Sequence, residues 1–359
     1  MDSPVWLPNY RITPSIVQAL MTIEGARAVI GSTRLPPLTA AALRRKTKLR
    51  ATHYSTRIEG NRLTLEQAAD VVAGVTPTAA VRERDVLEVK HYWDALERVE
   101  AWAERREMLT EPIIQRLHGI VERGARAKPT PYRDGQNVVR DAASGGIIYL
   151  PPEAPDVPPL MGALIRWVGD AVQASIPVPI IAALLHYQFV TIHPYYDGNG
   201  RTARLLATFV LHRYDYGLNG FVSLEEHHAR DLSAYYTALA THPHHNYYEG
   251  RAITDLSAWV TYFVTLMAQV FDEARAEVVR LAAPTKRALT PPSRQLPSTR
   301  QGRAVLALFA ERQIITANDV AATLGISPRM ARNYLGRWVA EGWLAPTSVA
   351  RKNRAYART

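Results

Sequence analysis

Twelve residues near the middle of the chain carry side chains that could handle a polyphosphate. The polar members of this run are His193, Asp197, Gly198, Asn199, Gly200, Arg201 and Arg204. Histidine has the ordinary pKa that suits a general base near neutrality, and aspartate is a hard oxygen ligand for Mg²⁺. Glycines let the backbone approach a ligand closely, while arginines offer forked donors to phosphate oxygens. The pattern therefore favours activation of a hydroxyl against a nucleotide phosphate, where positioning and charge neutralisation dominate catalysis.

Two apolar segments flank this run and must position it. The first repeats apolar residues at helical spacing up to Ile192, and Pro194 predicts that this helix ends near His193. The second segment, from Leu205 to Val210, predicts another buried helix. The polar run is then a loop that leads into a helix N-terminus, which offers open N–H groups and a partial positive charge.

The sequence excludes two commoner phosphate-binding patterns. It contains no G-x-x-x-x-G-K-[ST] loop. Gly198-x-Gly200-x-x-Ala203 matches a relaxed dinucleotide pattern, but that pattern needs a preceding β-strand, and a helix and His-Pro stand there instead.

The run from His193 to Arg204 resembles the Fic-domain signature H-P-F-x-[D/E]-G-N-G-R-x-x-R, with Tyr195 in place of Phe as the one difference. The resemblance implies transfer of AMP from ATP, with Mg²⁺, to a hydroxyl of a target protein. Relatives that phosphorylate their target carry Lys at the position of Gly200, so this sequence favours nucleotidyl transfer. The roles that the resemblance implies are a general base, His193; a Mg²⁺ ligand, Asp197; an anion hole, Gly198, Asn199 and Gly200; and phosphate-binding arginines, Arg201 and Arg204.

A second motif lies at the end of a helix predicted over residues 39–58. Gly60 predicts the C-cap, and Glu59 lies at the negative end of the helix dipole, which disfavours an anion that lacks a cationic partner. Ser55, Glu59 and Gly60 are in register with the family's inhibitory motif [S/T]-x-x-x-E-[G/N]. The resemblance implies that Glu59 pairs with Arg204 and blocks the γ-phosphate site, so we expect a self-inhibited enzyme.

Residues 128–152 predict two short strands around the turn Ser144-Gly145-Gly146. The edge of such a hairpin could align an extended peptide by strand addition. The resemblance makes this hairpin a flap that docks the target, and its implied peptide contacts are Ile147, Ile148, Tyr149 and Leu150. A hairpin that only packs against the core stays open as an alternative.

Residues 228–241 predict a helix that carries Tyr235 and Tyr236. In relatives a tyrosine of this region lines the nucleoside pocket, although aromatic side chains at helical spacing are as often core. Three histidines follow, at His242, His244 and His245; without cysteine or acid at ligand spacing, they predict a surface loop rather than a metal site.

The fold predicted for the whole chain is mainly α: a Fic-type helical core with a small β-hairpin flap, and a C-terminal winged helix-turn-helix domain. The predicted segments are an N-terminal helical region with the inhibitory helix (1–108), a catalytic core (109–282), a Pro-rich linker (283–300) and the winged domain (301–359). Further helices are predicted over residues 13–31, 64–74 (capped by Thr64, with Glu66 near N3), 82–105, 110–123, 157–174 and 252–282.

The C-terminal segment has the layout helix, Gly325-containing turn, helix, with Pro328 at the first position of the second helix. From Arg294 to Thr359 there are eleven Lys or Arg and three Asp or Glu, so most of the net charge of +10 lies here. The predicted DNA contacts are Arg329, Arg332, Asn333 and Arg337. The predicted two-stranded wing comprises Trp343–Leu344 and Val349–Tyr356, with Arg351, Lys352 and Arg354. Such modules also dock proteins or form homodimers, so both uses stay open.

The composition narrows the class of protein. The chain has no cysteine, which excludes disulfides, a thiolate zinc site and a cysteine nucleophile. That is compatible with the cytoplasm. The N-terminus predicts no signal peptide, and no run of about 18 apolar residues predicts a membrane span.

The leading hypothesis is therefore an adenylyltransferase that acts on a target protein and also modifies itself. One alternative is a DNA-binding regulator whose Fic core only senses a nucleotide. Another is an enzyme that removes AMP from a modified protein, with Glu59 aligning a water molecule.

Overall fold

The computed structural model describes residues 5–75, 81–140, 145–242, 245–283, 299–309, 312–340, 343–347 and 355–358. The chain forms two compact units, Met1–Thr285 and Lys286–Thr359. Their boundary falls within the predicted linker 283–300, of which residues 284–298 lie outside the described residues. The predicted boundary between residues 108 and 109 lies inside the first unit.

The first unit is mainly helical, as predicted. Its helices are α1 (Pro14–Ser32), α2 (Pro37–Ile58), α3 (Leu65–Val72), α4 (Glu83–Glu104), α5 (Glu111–Arg123), α6 (Val157–Gln173), α7 (Val178–Ile192), α8 (Asn199–Arg213), α9 (Glu225–Arg230), α10 (Leu232–Leu239) and α11 (Ser257–Ala282). Short 3-10 helices cover Ala154–Asp156, Leu218–Gly220 and Arg251–Ile253. None of the described helices is long and apolar enough to span a membrane.

Helix α7 forms the centre of the core. Residues 179–189 are buried on every side, as expected for a helix that is apolar around its whole circumference. Helix α8 packs against it through buried residues that include Leu205, Leu206 and Phe209. The loop that joins these two helices is therefore held at both ends by core packing.

The predicted hairpin is present as two short strands, β1 (Val139–Arg140) and β2 (Ile147–Tyr149), which pair antiparallel. Residues 141–144, which include Ser144 of the predicted turn, lie outside the described residues. Beyond β2, Leu150 donates its N–H to the carbonyl of His245 at 2.6 Å and accepts from the N–H of Tyr247 at 3.0 Å. The flap is therefore tied to a second segment of the same unit.

Three local predictions need correction. The cap of α3 is Thr64, but its reciprocal partner at N3 is Gln67 and not Glu66. The single helix predicted over residues 228–241 is broken into α9 and α10 at Asp231, whose carboxylate accepts from the N–H of Ala234 and so starts a new helix. At the end of α2, Glu59 is the C-cap, and Gly60 follows it with φ of +88°.

The second unit has a winged helix-turn-helix layout. Its elements are α12 (Arg300–Leu308), β3 (Ile314–Thr316), α13 (Ala317–Leu324), α14 (Pro328–Ala340), β4 (Leu344–Pro346) and β5 (Ala355–Arg358). The strands form one antiparallel sheet in the order β3-β5-β4, so the predicted two-stranded wing has a third strand. Arg351, Lys352 and Arg354 lie outside the described residues.

Candidate active site

His193 follows the last residue of α7 and adopts a left-handed conformation, with φ of 51° and ψ of 59°. Its Nδ1 lies 3.2 Å from the carbonyl oxygen of Val190, and because a carbonyl only accepts, Nδ1 carries the proton. Burial lowers the pKa of His193 to about 4, so the imidazole is neutral near pH 7. Nε2 is then unprotonated and able to accept a proton from a hydroxyl.

The loop after His193 is closed by Asn199. Its Oδ1 accepts from the N–H of Tyr195 at 3.1 Å, and its Nδ2 donates to the carbonyl of Tyr195 at 2.7 Å. The ring of Tyr195, which stands where the signature has Phe, is buried and stacks on His118 with ring centroids 3.6 Å apart. Asn199 is thus buried and stabilises the conformation of the loop. Tyr195, which replaces the Phe of the signature, packs in the core.

Gly198 and Gly200 begin α8, where a helix N-terminus offers open N–H groups. Gly198 has φ of +74°, which favours glycine. A Cβ at Gly198 would overlap the carboxylate of Glu122, and a Cβ at Gly200 would overlap that of Glu59. The space that the resemblance assigns to phosphates is therefore bordered by two carboxylates.

The three predicted partners Ser55, Glu59 and Arg204 lie together. The Nη2 of Arg204 donates to Glu59 Oε1 at 2.9 Å and to the carbonyl of Ser55 at 2.9 Å, and Nε donates to Ser55 Oγ at 2.8 Å. Arg204 is 3% exposed, while the Glu59 side chain is 31% exposed. Burial acts to lower the pKa of Arg204, but the Glu59 carboxylate raises it, so the arginine is charged.

Helix α2, which carries Ser55 and Glu59, is held by ion pairs along its length. The guanidinium of Arg50 donates two hydrogen bonds to the carboxylate of Glu226 on α9. Lys48 Nζ lies 2.8 Å from Glu100 Oε2 on α4. These pairs dock the helix so that its C-terminal end reaches Arg204.

Arg201 is buried among carboxylates. Its guanidinium lies 3.1 Å from Glu122, 3.4 Å from Asp197 and 3.8 Å from Glu88. Burial raises the pKa of Glu122, an effect that Arg201 opposes. The Arg201 side chain, which is predicted to bind phosphate, is thus 3% exposed and already paired with acids.

Among the three acids around Arg201, Asp197 is the most exposed, with a side chain that is 64% exposed. Its Oδ1 accepts from the N–H of Gly198 at 2.6 Å, and its Oδ2 lies 3.8 Å from Arg84. Its carbonyl oxygen, which can only accept, receives a hydrogen bond from Nε2 of His118 at 2.8 Å. Burial lowers the pKa of His118 to about 4, so the ring is neutral and Nδ1 carries no proton. Within the described residues, no group of three or more His, Cys, Asp or Glu side chains is arranged to hold a metal.

The flap is fastened to the loop by Arg133 and Asn137. Arg133, which is 4% exposed, donates from Nε to the carbonyl of His193 at 2.9 Å and from Nη2 to the carbonyl of Pro152. Asn137 Nδ2 donates to the carbonyl of Tyr195 at 2.9 Å. The hairpin and the predicted base are therefore parts of one hydrogen-bonded assembly.

The four predicted peptide contacts of the flap divide into two pairs. Ile147 and Ile148 are 52% and 44% exposed. Tyr149 is buried, donates its hydroxyl to the carbonyl of Thr191 at 2.6 Å and lies under Arg251. Both backbone groups of Leu150 are bonded within the chain, so Leu150 could contact a peptide only through its partly buried side chain, while the buried Tyr149 does not fit the predicted role.

The two tyrosines of α10 also differ. Tyr236 is 48% exposed, and partial burial, followed by the charge of Glu59, raises the pKa of its phenol. Tyr235 is 2% exposed and lies in the core, with its hydroxyl 3.1 Å from Nε2 of His186. Of the two, Tyr236 is open to solvent and Tyr235 is part of the hydrophobic core.

The histidines after α10 form no metal arrangement within the described residues. His242 is partly buried and His245 is exposed, while His244 lies outside the described residues.

In the second unit, helix α14 buries Ala331, Leu335 and Trp338 against the unit's own core. The predicted DNA contacts lie on its other side and are exposed: Arg329, Arg332, Asn333 and Arg337. The spacing of three and four residues places them on one helix face.

Several residues of the site were not predicted. Glu88, Glu122 and Arg133 contact the signature side chains or their backbone, and the buried Tyr92 donates its hydroxyl to Glu225. One signal was present in α4, where an acid at position 88 recurs in phase with the buried Tyr92, Leu96 and Val99. A charged residue on an apolar helix face indicates a buried partner.

The first unit combines a helix that ends next to a histidine, a second helix that begins between two glycines, and a hairpin flap. This is the arrangement that the Fic signature predicts. Residues 108–211 match the Fic/DOC family model. Residues 303–347 match a second model, described as a transcriptional regulator, AbiEi antitoxin. The winged-helix layout of the second unit agrees with that match.

Curated relatives carry the name protein adenylyltransferase Fic. The protein of Drosophila ananassae is 30% identical over 218 residues, which cover 58% of this chain and 42% of the relative. That of Drosophila virilis is 29% identical over 218 residues, covering 58% and 43%. The chain spans less than half the length of these curated relatives.

Two solved structures are similar. A Fic family protein from Desulfovibrio desulfuricans G20 is 25% identical, with 99% of this chain and 98% of that chain covered and a TM-score of 0.63. A Fic domain containing signaling protein from Bacteroides thetaiotaomicron is 27% identical, with 75% and 96% covered and a TM-score of 0.61.

Proposed function

We propose that the chain is a self-inhibited protein adenylyltransferase, which moves AMP from ATP to a Tyr, Thr or Ser hydroxyl of a target protein. The observation that carries the proposal is the contact of Glu59 with Arg204 over the glycine-bounded start of α8, next to a neutral His193. The name that the curated relatives carry supports the same reaction.

The chemistry follows from the neutral imidazole. Nε2 of His193 accepts the proton of the target hydroxyl as its oxygen forms a bond to the α-phosphorus of ATP. The bond between that phosphorus and the oxygen bridging to the β-phosphate breaks, and pyrophosphate leaves. The N–H group of Gly200 at the start of α8, with Arg204, stabilises the negative charge on the phosphate oxygens, whereas the N–H of Gly198 is bonded to Asp197 Oδ1.

Self-inhibition follows from the position of Glu59. Its carboxylate occupies the space over Gly200 and neutralises Arg204, the guanidinium proposed to hold the γ-phosphate. A carboxylate and a phosphate compete for the same cation, so the phosphate chain of ATP cannot align while Glu59 is docked.

Mg²⁺ fits Asp197 as a metal shared with the substrate. The carboxylate is 64% exposed, and Mg²⁺ typically takes one or two protein carboxylates together with substrate phosphates and water. When bound there it would neutralise charge on the phosphates.

The flap supplies a place for the target. Ile147 and Ile148 are exposed on β2, and Arg133 and Asn137 bond the same hairpin to the backbone of the loop that carries the base. An extended peptide that paired with this hairpin would be held close to His193.

The test is transfer of label from α-labelled ATP with Mg²⁺, with the protein alone and with lysate, in the wild type, Glu59→Gly, His193→Ala and the double variant. We expect weak labelling of the wild type, strong labelling of Glu59→Gly and none where His193 is replaced. Glu104→Gly, which removes an exposed acid from another helix end, is the matched control and should label like the wild type.

Two outcomes would overturn the proposal. Labelling from γ-labelled but not α-labelled ATP would indicate phosphorylation. Absence of label from every variant, with a protein that loses label already attached, would favour removal of AMP.

We also propose that the second unit binds DNA. Its match to a transcriptional-regulator model and the exposed basic face of α14 favour this use. The test is binding of the full chain to random-sequence duplex DNA across a range of salt concentrations. Arg332→Ala should weaken binding and reduce the salt dependence, whereas Arg303→Ala, which removes an equal charge from α12, should not. Equal behaviour of the two variants would contradict the assignment.

A further inference from the structure

Arg133 is a buried arginine whose hydrogen bonds all go to neutral acceptors. Its side chain is 4% exposed, and no ion pair joins it to an acid among the described residues. Its guanidinium donates instead to three backbone carbonyls and one side-chain amide, on His193, Gly135, Pro152 and Gln136. A buried charge is costly, so an apolar side chain would fill the same space at lower cost if packing were the only requirement.

His193 holds a backbone conformation that its own sequence disfavours. Its φ of 51° and ψ of 59° are left-handed, which is unfavourable for a residue with a Cβ. Pro194 follows directly, and the residue before a proline is pushed towards extended conformations. Contacts with the surrounding structure must therefore hold His193 in this conformation.

Arg133 supplies two such contacts, on two consecutive carbonyls. Its Nε donates to the carbonyl of His193 at 2.9 Å, and its backbone N–H donates to the carbonyl of Pro194 at 2.9 Å. The N–H and Nδ1 of His193 bond within α7, to the carbonyls of Phe189 and Val190. Arg133 thus acts from outside that helix, on the peptide groups that follow it.

The other two nitrogens of the guanidinium bind the two legs of the hairpin. Before β1, Nη1 donates to the carbonyl of Gly135 at 2.9 Å and to Gln136 Oε1 at 3.1 Å, and beyond β2, Nη2 donates to the carbonyl of Pro152. Gln136 in turn donates to the carbonyl of Pro151 at 3.1 Å and to Glu153 Oε1 at 3.4 Å. One planar side chain therefore joins both legs of the flap to the backbone of His193.

We propose that Arg133 is a positioning residue that fixes the backbone of His193, and with it the direction of Nε2, and that it couples this conformation to the flap. The inference rests on the proposed function of the site. Arginine suits this role because its guanidinium carries five donors in a fixed fork, whereas the donors of a lysine share a single nitrogen.

The kinetic test uses the Glu59→Gly protein as its background and follows self-labelling from α-labelled ATP. Adding Arg133→Lys keeps the charge but cannot span the four acceptors. We expect kcat to fall about tenfold or more and the KM for Mg-ATP to stay within about twofold, because the base is misplaced while no hydrogen bond of Arg133 reaches Gly200 or Arg204.

Arg116→Lys is the matched control in the same background. Arg116 also donates to two backbone carbonyls, those of Ala125 and Ala127, and neither belongs to the signature loop or to the flap. Its kcat and KM should stay those of the background.

A spectroscopic test separates this inference from the proposed reaction. The ring-nitrogen NMR signals of His193 are recorded in protein carrying isotope-labelled histidine and are identified by their loss in His193→Ala. Arg133→Lys should shift or broaden these signals, because the ring no longer has one fixed surrounding, and Arg116→Lys should leave them in place. If the background protein transfers no label, the proposed function fails while these signals still decide the positioning role.

The affinity for Mg-ATP and the thermal midpoint are measured for each variant. If Arg133→Lys does not fold, Gln136→Leu removes one acceptor of Nη1 and leaves the arginine, and kcat should fall about threefold with the His193 signals shifted. Unchanged His193 signals, a loss of Mg-ATP affinity as large as the loss of kcat, or equal effects of Arg133→Lys and Arg116→Lys would overturn the proposal.

Discussion

Arg201 and Arg204 lie one turn apart on α8 and are equally buried, yet their surroundings differ in kind. Carboxylates surround Arg201, which lies 3.1 Å from Glu122 and 3.8 Å from Glu88. Arg204 instead donates to a serine and to a single carboxylate that is 31% exposed. Two of the acids around Arg201, Glu88 and Glu122, have side chains that are 9% and 24% exposed, whereas the single acid on Arg204 is 31% exposed and can turn to water. We therefore expect Arg204 to be the arginine whose partner can be exchanged.

The largest effect that would test this contrast is on stability. Arg201→Met leaves Glu88 and Glu122 without their cation, and we expect a loss of about 3 kcal/mol in the free energy of unfolding of the first unit. Arg204→Met leaves hydroxyl and carbonyl acceptors and a Glu59 that can reach solvent, so about 1 kcal/mol should be lost. Urea denaturation followed by tryptophan fluorescence measures both, and equal losses would break the contrast.

A second comparison uses the two acids. Glu59→Gln keeps the shape but removes the charge that holds Arg204, so labelling from α-labelled ATP should rise about tenfold. Glu122→Gln, the same change beside Arg201, should give no increase. A rise in both would mean that Arg201 is restrained in the same way as Arg204.

The contact between Glu59 and Arg204 also depends on how firmly α2 is packed against the rest of the first unit. Arg50→Glu or Glu226→Arg breaks the pair between α2 and α9, and each should raise labelling by about threefold, since a charged pair of this kind contributes on the order of 1 kcal/mol. The double variant, which exchanges the two charges, should recover part of the inhibition. If the double variant labels more strongly than either single variant, the pair does not dock the helix.

A smaller effect, the pH dependence of labelling, concerns His193 and neither of the two arginines. Burial lowers the pKa of His193 to about 4, and the protonated imidazole, which cannot act as a base, accumulates only below that value. In the Glu59→Gly protein, initial labelling rates at saturating Mg-ATP should therefore change less than twofold between pH 8 and pH 5. A fall of tenfold or more over that range would place the pKa near the ordinary value of a histidine.

The smallest expected effect is on the free energy of unfolding when Arg84, an exposed residue next to the acids around Arg201, is replaced. Arg84 is 65% exposed and lies 3.8 Å from Asp197, so Arg84→Ala should change the free energy of unfolding by less than about 0.5 kcal/mol. A loss comparable with that of Arg201→Met would show that the outer charges belong to the buried network.

The signature loop could be predicted from the sequence because its residues are consecutive. Pro194 ended α7 as expected, and α8 began at Asn199. Ser55 and Glu59 lie 149 and 145 residues from Arg204 in the chain, and only a motif of known register could pair them with it. The mainly helical fold and the helix-turn-helix layout followed from periodicity and caps, which are local signals.

The remaining contacts depend on tertiary packing. Glu88 carries two opposing sequence signals. It stands four residues after Arg84, a spacing typical of a pair on a solvated helix face, but it also falls in phase with the buried residues Tyr92, Leu96 and Val99. Its burial against Arg201 depends on how α4 packs on α8. The break at Asp231 was missed for a similar reason, because apolar residues continue across it and only the capping carboxylate marks the new start.

Ser55 and Glu59 stand one turn apart on α2, and this has a consequence for how such a protein could be turned on. A protease cut or a truncation that removed α2 and its C-cap would take away Glu59, the acid proposed to restrain Arg204, together with Ser55, which also accepts from that arginine. Permanent activation by loss of the helix is therefore a poor route, and the segment is constrained to stay. Control is expected instead from a turn of one carboxylate at the C-cap of a helix that otherwise keeps its place.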